Sequence, residues 1–143
     1  LIQDLFGRLG ADSIYQRFLT HLKSLPEGLL FQLTHIDYRS KFALVAVIDE
    51  GGGESIIAVA RYGYDAGSRM TDFAIVVRDD WQNCGLGKIL LRKLFAIGRA
   101  QGVTRFVSVI YPENHAMKHV LRSLGYPVKY SYKNGSTQAE IYV

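Results

Sequence analysis

The sequence predicts an α/β (α+β) domain in which helices flank one twisted, mixed and mostly antiparallel sheet. Three observations predict this class: apolar runs of strand length occur beside segments of helical period, turn-forming residues separate them, and no repeat or linker divides the 143 residues. Apolar residues make up 48% of the chain, which is enough for one buried core. We therefore expect residues 1–143 to form a single domain.

Helices are predicted within the first 38 residues. Ser13 and Gln16 have the spacing of a capping box ahead of an apolar stripe. Pro26 and Glu27 have the composition of a second helix start, since proline is common at the first helical position.

Three apolar runs after this segment predict an antiparallel meander. The runs are residues 42–48, 56–64 and 73–77. The turns between them, at residues 49–53 and 65–68, are rich in glycine and aspartate. Turns this short join antiparallel neighbours, because parallel strands need a long crossover.

Two helices and three strands are predicted for the second half of the chain. Leu90, Leu94 and Ile97 recur with helical period after Gly87, and Gly102 lies just past the end of that stripe. Then come a strand at residues 106–110, a helix at 114–124 closed by Gly125, and strands at 130–132 and 139–143. The last two strands flank Asn134-Gly135, a dipeptide typical of a two-residue β-hairpin.

Composition excludes several classes of protein. The formal charge of +4 suits an anionic ligand, but the basic residues are too dispersed to indicate nucleic acid. No apolar stretch approaches the roughly 18 residues of a membrane helix. A single cysteine forms no internal disulfide, which favours a reducing, cytoplasmic setting. His115 and His119 have no third ligand at zinc-like spacing, so no metal is expected.

The loop between the third apolar run and the next helix holds the most informative motif. Gly85 and Gly87 allow a tight turn, and the helix that follows adds unpaired N–H groups and the positive end of its dipole. Such a loop either is a simple turn or binds a phosphate. Lys88 favours the phosphate, because a cation in the first helical turn costs about 0.3–1 kcal/mol unless an anion lies beside it. Neither Gly-x-Gly-x-x-Gly nor a P-loop is present.

Two motifs resemble those of a known family. Residues 82–87, Gln-Asn-Cys-Gly-Leu-Gly, resemble the Gln/Arg-x-x-Gly-x-Gly/Ala signature of the GNAT acetyltransferase superfamily. Residues 107–126 resemble its second signature, a strand, an asparagine (Asn114) and a helix ending in a Gly-aromatic pair. The resemblance covers residues 13–143 and implies the GNAT fold, with the superfamily's first strand missing before Leu1, as in a domain excised from a longer chain.

This resemblance implies an N-acetyltransferase with acetyl-CoA as cosubstrate. The backbone of Val76 and Val77 would pair with the pantetheine arm and polarise the thioester carbonyl. The loop amides would bind the pyrophosphate, and Asn114 would contact the cofactor from the other side. The implied cofactor-binding residues are Val76, Val77, Gln82, Asn83, Cys84, Gly85, Leu86, Gly87, Lys88 and Asn114.

An amine acceptor needs a general base. Deprotonating a lysine of pKa near 10.4 at pH 7 costs about 4.6 kcal/mol, and a base that takes the proton during attack lowers that cost. By the resemblance, Asp72 stands where many GNAT members have a catalytic glutamate. Its side chain is one methylene shorter, so it would act through a water molecule. The alternative is that Asp72 is a solvated carboxylate near the start of a strand, with no catalytic role. Glu113 is the reserve candidate. Leu121 stands where many members place a tyrosine acid, so no acid is assigned.

A narrower likeness concerns the acceptor. Residues 13–18, 33–38 and 42–46 resemble the GNAT domain of bacterial Pat-type protein lysine acetyltransferases, which implies a protein lysine as acceptor. Residues 39–41, Arg-Ser-Lys, depart from the acidic run expected there. A small-molecule amine as acceptor and a non-catalytic acyl-CoA sensor domain are the alternatives. The domain would act as a monomer or homodimer, without nucleic acid or membrane.

Overall fold

The computed structural model describes residues 2–10, 41–133 and 135–143. In chain order the elements are α1 Ile2–Gly7, β1 Lys41–Asp49, β2 Glu54–Asp65, β3 Met70–Val77, α2 Leu86–Ala100, β4 Arg105–Ile110, α3 His115–Ser123, β5 Val128–Lys133 and β6 Ser136–Tyr142. One short 3-10 turn, Asp79–Trp81, precedes α2. Helix α1 falls in the segment predicted to be helical, whereas the helix starts predicted at Ser13 and Pro26 lie outside the described residues.

The six strands form one sheet in the order β1-β2-β3-β4-β6-β5. All neighbours are antiparallel except β3 and β4, which are parallel. The predicted mixed, mostly antiparallel sheet and its opening meander are therefore confirmed. The first five strands contain their predicted apolar runs, whereas β6 begins three residues before its predicted start and ends at Tyr142, one residue before its predicted end. All six strands include polar residues at one or both ends, because backbone pairing does not stop where apolar character does.

The predicted hairpin joins β5 and β6. Lys133 pairs with Ser136, so the connection is a two-residue loop. Gly135 has a φ of 77°, a left-handed conformation that glycine adopts without steric cost. The Asn-Gly pattern thus correctly located the turn.

One face of the sheet packs against α2 through an aromatic cluster. Phe95 of α2 contacts Phe73 of β3 edge-on, with ring centroids 5.1 Å apart, and stacks on Phe106 of β4 at 4.7 Å. All three rings are buried. On the opposite face, Leu5 of α1 packs in a smaller cluster with Val59 of β2. Helix α2 therefore bridges the two parallel strands at the centre of the sheet.

This bridge requires a glycine at the close approach of α2 and β4. A Cβ atom built on Gly98 would overlap the ring of Phe106, whereas a Cβ on Gly87 of the same helix would meet Ile75 and Val77 at ordinary contact distances of 3.7 and 4.0 Å.

Among the described residues, no helix has the length and apolar character needed to cross a membrane.

Gly98→Ala is expected to lower the free energy of unfolding by about 1–3 kcal/mol, because the added methyl group overpacks the core. Chemical denaturation followed by circular dichroism measures the effect. Gly87→Ala is the matched control, since it makes the same change in the same helix without a clash and adds helix propensity. Equal stability of the two variants would contradict the assignment of Gly98 to a packing role.

Candidate active site

The two parallel strands part soon after they meet. Strands β3 and β4 pair only at Thr71 with Phe106 and Asp72 with Val107. Strand β3 stays paired with β2 up to Val77, and β4 stays paired with β6 along its whole length. The sheet therefore splits into two halves beyond Asp72, and one backbone edge of β3 at residues 73–77 has no partner strand among the described residues. Backbone N–H and C=O groups along such an edge can pair with a ligand.

A cleft of about 460 Å³ occupies this split. Its walls are the last residues of β3, the loop that follows, the first two turns of α2 and one side of α3. All the predicted cofactor-binding residues line it except Cys84. Trp81, His119 and Ser123 also line it, and the sequence assigned no binding role to them.

The loop at the mouth of the cleft presents a row of backbone donors. Asn83 and Gly85 have positive φ values of 60° and 84°, which turn successive N–H groups toward one side. Within the described part of the chain, the N–H groups of residues 83–88 have no backbone acceptor. They lie at the N-terminus of α2, a helix of 15 residues whose dipole is positive there. We call residues 82–88 the anion cradle.

Two side-chain contacts hold the cradle in shape. The Nε2 atom of Gln82 donates to the carbonyl oxygen of Val77 at 2.9 Å, which ties the loop to the end of β3. The Sγ atom of Cys84 donates to the carbonyl oxygen of Trp81 at 2.9 Å. Cys84 is free and exposed, and its side chain is engaged with Trp81 rather than with the cleft.

Asn114 stands on the wall opposite the cradle. Its Oδ1 atom accepts a hydrogen bond from the backbone N–H of Met117 at 3.1 Å, and the residue is buried. Asn114 is thus the N-cap of α3, a role that contributes about 1 kcal/mol to helix stability. The sequence predicted a contact with the cofactor; the structure places Asn114 in the cleft and uses its oxygen to fix the start of α3.

Asp72 lies at the vertex of the split, in the last residue pair between β3 and β4. Asp72 is an exposed residue, and the residue paired with it on β2 is Gly63, which has no side chain. Partial desolvation, together with the negative charge of Asp65, raises the pKa of Asp72 above its usual value. A raised pKa suits a proton acceptor, although Asp72 does not line the cleft itself.

The other residues considered for proton transfer lie elsewhere. Glu113 is exposed at the residue before Asn114 and is outside the cleft lining. Leu121 is buried in the core, so nothing at that position takes the tyrosine's place. No group of three His, Cys, Asp or Glu side chains could hold a metal ion among the residues the structure describes.

Arg78, the first residue after β3, was missed by the sequence analysis. It is buried and forms ion pairs with Asp80 and Glu50. The available pattern was an arginine followed by two aspartates directly after an apolar strand, which predicts a local ion pair but not burial.

Comparison with known proteins places these features in a family. The acetyltransferase (GNAT) family matches residues 11–126. The chain is 31% identical over 124 residues to the acetyltransferase PA5475 of Pseudomonas aeruginosa, a match that covers 87% of this chain and 67% of that protein. It is 32% identical over 118 residues to the acetyltransferase Pat of Mycolicibacterium smegmatis, covering 80% of this chain but only 34% of that protein.

Solved structures give the same result. The GNAT domain of S. lividans PAT matches with a TM-score of 0.88 and 27% identity, covering 99% of this chain and 83% of that one. A cAMP-binding acyltransferase from Mycobacterium smegmatis matches with a TM-score of 0.62 and 28% identity, covering 93% of this chain and 40% of that one.

The fold and the cleft thus define an acetyltransferase. The chain belongs to the acetyltransferase (GNAT) family, which makes it an acetyl-CoA-dependent N-acetyltransferase. The resemblance stated from the sequence, including its Pat-type part, is confirmed.

Lys88→Glu is expected to change ligand-free stability and coenzyme A affinity in opposite directions. An acidic side chain in the first turn of α2 interacts favourably with the positive end of the helix dipole and stabilises the free protein by about 0.3–1 kcal/mol. It repels a diphosphate in the cradle, and the Kd for coenzyme A rises about 10-fold or more. Thermal unfolding and calorimetric titration measure the two effects.

The control for this experiment is Lys93→Glu, the same charge change on an exposed part of α2 outside the cleft. It should leave the Kd for coenzyme A within about 2-fold of wild type, as expected for a screened surface charge. A similar Kd for both variants would mean that Lys88 does not face the bound anion.

Proposed function

We propose that this domain transfers the acetyl group of acetyl-CoA to the side-chain amine of a lysine on another protein. The observation that carries the transfer chemistry is the split between β3 and β4 that opens onto the anion cradle. Acetyl-CoA supplies an activated acetyl thioester.

The residues of the cleft fit coenzyme A. The cradle supplies backbone N–H donors and a helix dipole for the diphosphate, and Lys88 adds a cation at the same place. The unpartnered edge of β3 runs from residue 73 to 77, about 17 Å at roughly 3.3 Å per residue. This edge is long enough to pair with the amide groups of an extended pantetheine arm, as a neighbouring strand would.

The same edge stabilises negative charge on the thioester oxygen. Backbone N–H groups of β3 that point into the split are fixed by the pairing of β3 with β2. Fixed donors aimed at an oxygen where charge develops lower the barrier, because they need no reorganisation during the reaction.

Asp72 accepts the proton of the attacking amine. It lies at the vertex, where the unpartnered edge of β3 begins, and it is the exposed residue among the otherwise buried residues of the two β3–β4 pairs. An aspartate side chain is one methylene shorter than glutamate, so the proton passes through a water molecule. The carboxyl must be ionised to act, and it is ionised at pH values above its raised pKa.

Two observations favour a protein lysine over a small amine. The chain resembles the GNAT domains of Pat-type enzymes in sequence and in structure. Asp72 is an exposed residue, and among the described residues only the side chain of Lys41 comes within 4 Å of where a side chain on the neighbouring Gly63 would start, which favours an acceptor site wide enough for a protein. A small amine would require side chains that enclose it.

Asp72→Asn is expected to lower kcat about 100-fold or more, which is a typical contribution of a general base. The KM for acetyl-CoA should not change. Because the pKa of Asp72 is raised in the folded protein, its ionised form lowers stability as the pH rises through that pKa, so the melting temperature of Asp72→Asn at pH 7 should equal or exceed that of wild type. Steady-state kinetics and thermal unfolding test both effects.

The matched control is Glu113→Gln, which neutralises the reserve candidate outside the cleft and should retain kcat. In wild type, kcat/KM should rise with pH, and the apparent pKa of that rise should lie above the usual aspartate value near 3.9. A full kcat in Asp72→Asn, or its loss in Glu113→Gln, would move the base away from Asp72.

The acceptor class is tested with acetyl-labelled acetyl-CoA and a bacterial lysate, separated into protein and small-molecule fractions. We expect label in discrete protein bands, and lysine-specific acetylation in their peptides. Asp72→Asn provides the background of non-enzymatic acetylation. Label confined to small molecules would favour the small-amine enzyme, and no transfer by wild type would favour the sensor domain.

A further inference from the structure

A buried arginine, Arg78, lies between strand β3 and the anion cradle. Arg78 directly follows β3 and is 3% exposed. Burying a guanidinium is costly unless charged partners surround it. The hydrogen bonds that Arg78 donates to Asp80 and Glu50 hold its pKa above the usual value, so it stays charged.

Asp80 holds Arg78 in a two-pronged contact. Nε of Arg78 donates to Oδ1 of Asp80 at 2.6 Å, and Nη2 donates to Oδ2 at 2.8 Å. Such a pair fixes orientation as well as distance. Asp80 lies in the short turn Asp79–Trp81, directly before Gln82 at the start of the cradle.

The backbone of Arg78 is fixed at the same point. Its N–H donates to the carbonyl oxygen of Ile57 at 2.7 Å, and its own carbonyl oxygen accepts from the N–H of Trp81 at 2.8 Å. The direction in which the chain leaves β3 is therefore set by both the backbone and the side chain of one residue.

Glu50 connects this residue to two further segments. It lies in the turn between β1 and β2, and its Oε1 atom accepts from Nη1 of Arg78 at 2.7 Å. The same oxygen accepts from Nη1 of Arg8, just after α1, at 2.9 Å. Arg8 in turn lies 3.3 Å from a carboxylate oxygen of Asp4. The network thus anchors the turn before the cradle to α1 and to the meander.

We propose that Arg78 is a positioning residue for the anion cradle. Clamped by Asp80 and Glu50, its guanidinium aims the N–H groups of residues 83–88 into the cleft before any ligand arrives. Arg78 does not line the cleft, so it acts through the cradle and not by touching the ligand. This inference rests on the proposed function in one respect, the use of coenzyme A as the probe.

The clamp affects binding more than chemistry. A cradle that is ordered in advance loses less conformational freedom when the diphosphate binds, and so it binds more tightly. Loosening the clamp should raise the KM for acetyl-CoA and the Kd for coenzyme A, while kcat at saturation changes little.

The test uses Asp80→Ala and Arg78→Lys. Asp80 is exposed, so its removal leaves Arg78 paired with Glu50 and keeps the fold; lysine retains the charge of Arg78 but lacks the two-pronged geometry. Arg105→Met is the matched control, because it removes an ion pair with Glu140 at 3.8 Å elsewhere on the sheet. Amide hydrogen exchange of residues 83–88 is measured without ligand, followed by calorimetric titration with coenzyme A and by steady-state kinetics.

In both test variants we expect exchange of these amides to accelerate about 10-fold or more. The Kd for coenzyme A and the KM for acetyl-CoA should rise about 10-fold, with kcat within about 3-fold of wild type. Arg105→Met should change none of these values. A lower melting temperature of Asp80→Ala with unchanged amide exchange and unchanged Kd would reduce Arg78 to a structural role and overturn the proposal. If wild type itself binds no coenzyme A, the proposed function fails, while the exchange data still decide whether the clamp exists.

Discussion

The parting of β3 and β4 after Asp72 is the constraint on which the rest of the structure depends. At the vertex the two strands are bridged by the aromatic cluster, in which Phe95 of α2 contacts both Phe73 and Phe106. Beyond it, no strand of the described residues fills the space, and the chain that leaves β3 returns as the first turn of α2. A single helix therefore closes the sheet at its centre and also delivers its N-terminus to the opening. Gly98 permits the close packing of α2 against Phe106 of β4, because it has no side chain.

Positive charge serves two separate purposes at this opening. The guanidinium of Arg78 is buried and satisfied by carboxylates of the protein, so it contributes shape and not attraction. Lys88 lies on the cleft wall in the first turn of α2, where the helix dipole disfavours it. A bound anion at this place would offset the unfavourable interaction between Lys88 and the helix dipole. A locally unfavourable residue on a cleft wall is typical of functional sites.

Local patterns predicted the local elements well. Turn residues marked the meander, the Asn-Gly pair marked the last hairpin, and Gly85 and Gly87 marked the start of α2. The vertex at Asp72 could not be predicted, because it depends on register between two strands separated by a helix. The pairing of Arg78 with Glu50, 28 residues apart, was equally invisible. Sequence motifs located the cradle; only tertiary contacts explain what holds it in place.

The two-pair junction between the halves of the sheet has a thermodynamic consequence. Among the described residues, backbone pairing between β3 and β4 stops after two residue pairs, so in the proposed complex the extended arm of the cosubstrate would act as a surrogate strand. A ligand that binds only the folded state adds stability by mass action, about 2.7 kcal/mol at a concentration 100 times its Kd. Saturating acetyl-CoA would then raise the melting temperature of this domain in proportion to how tightly it is bound.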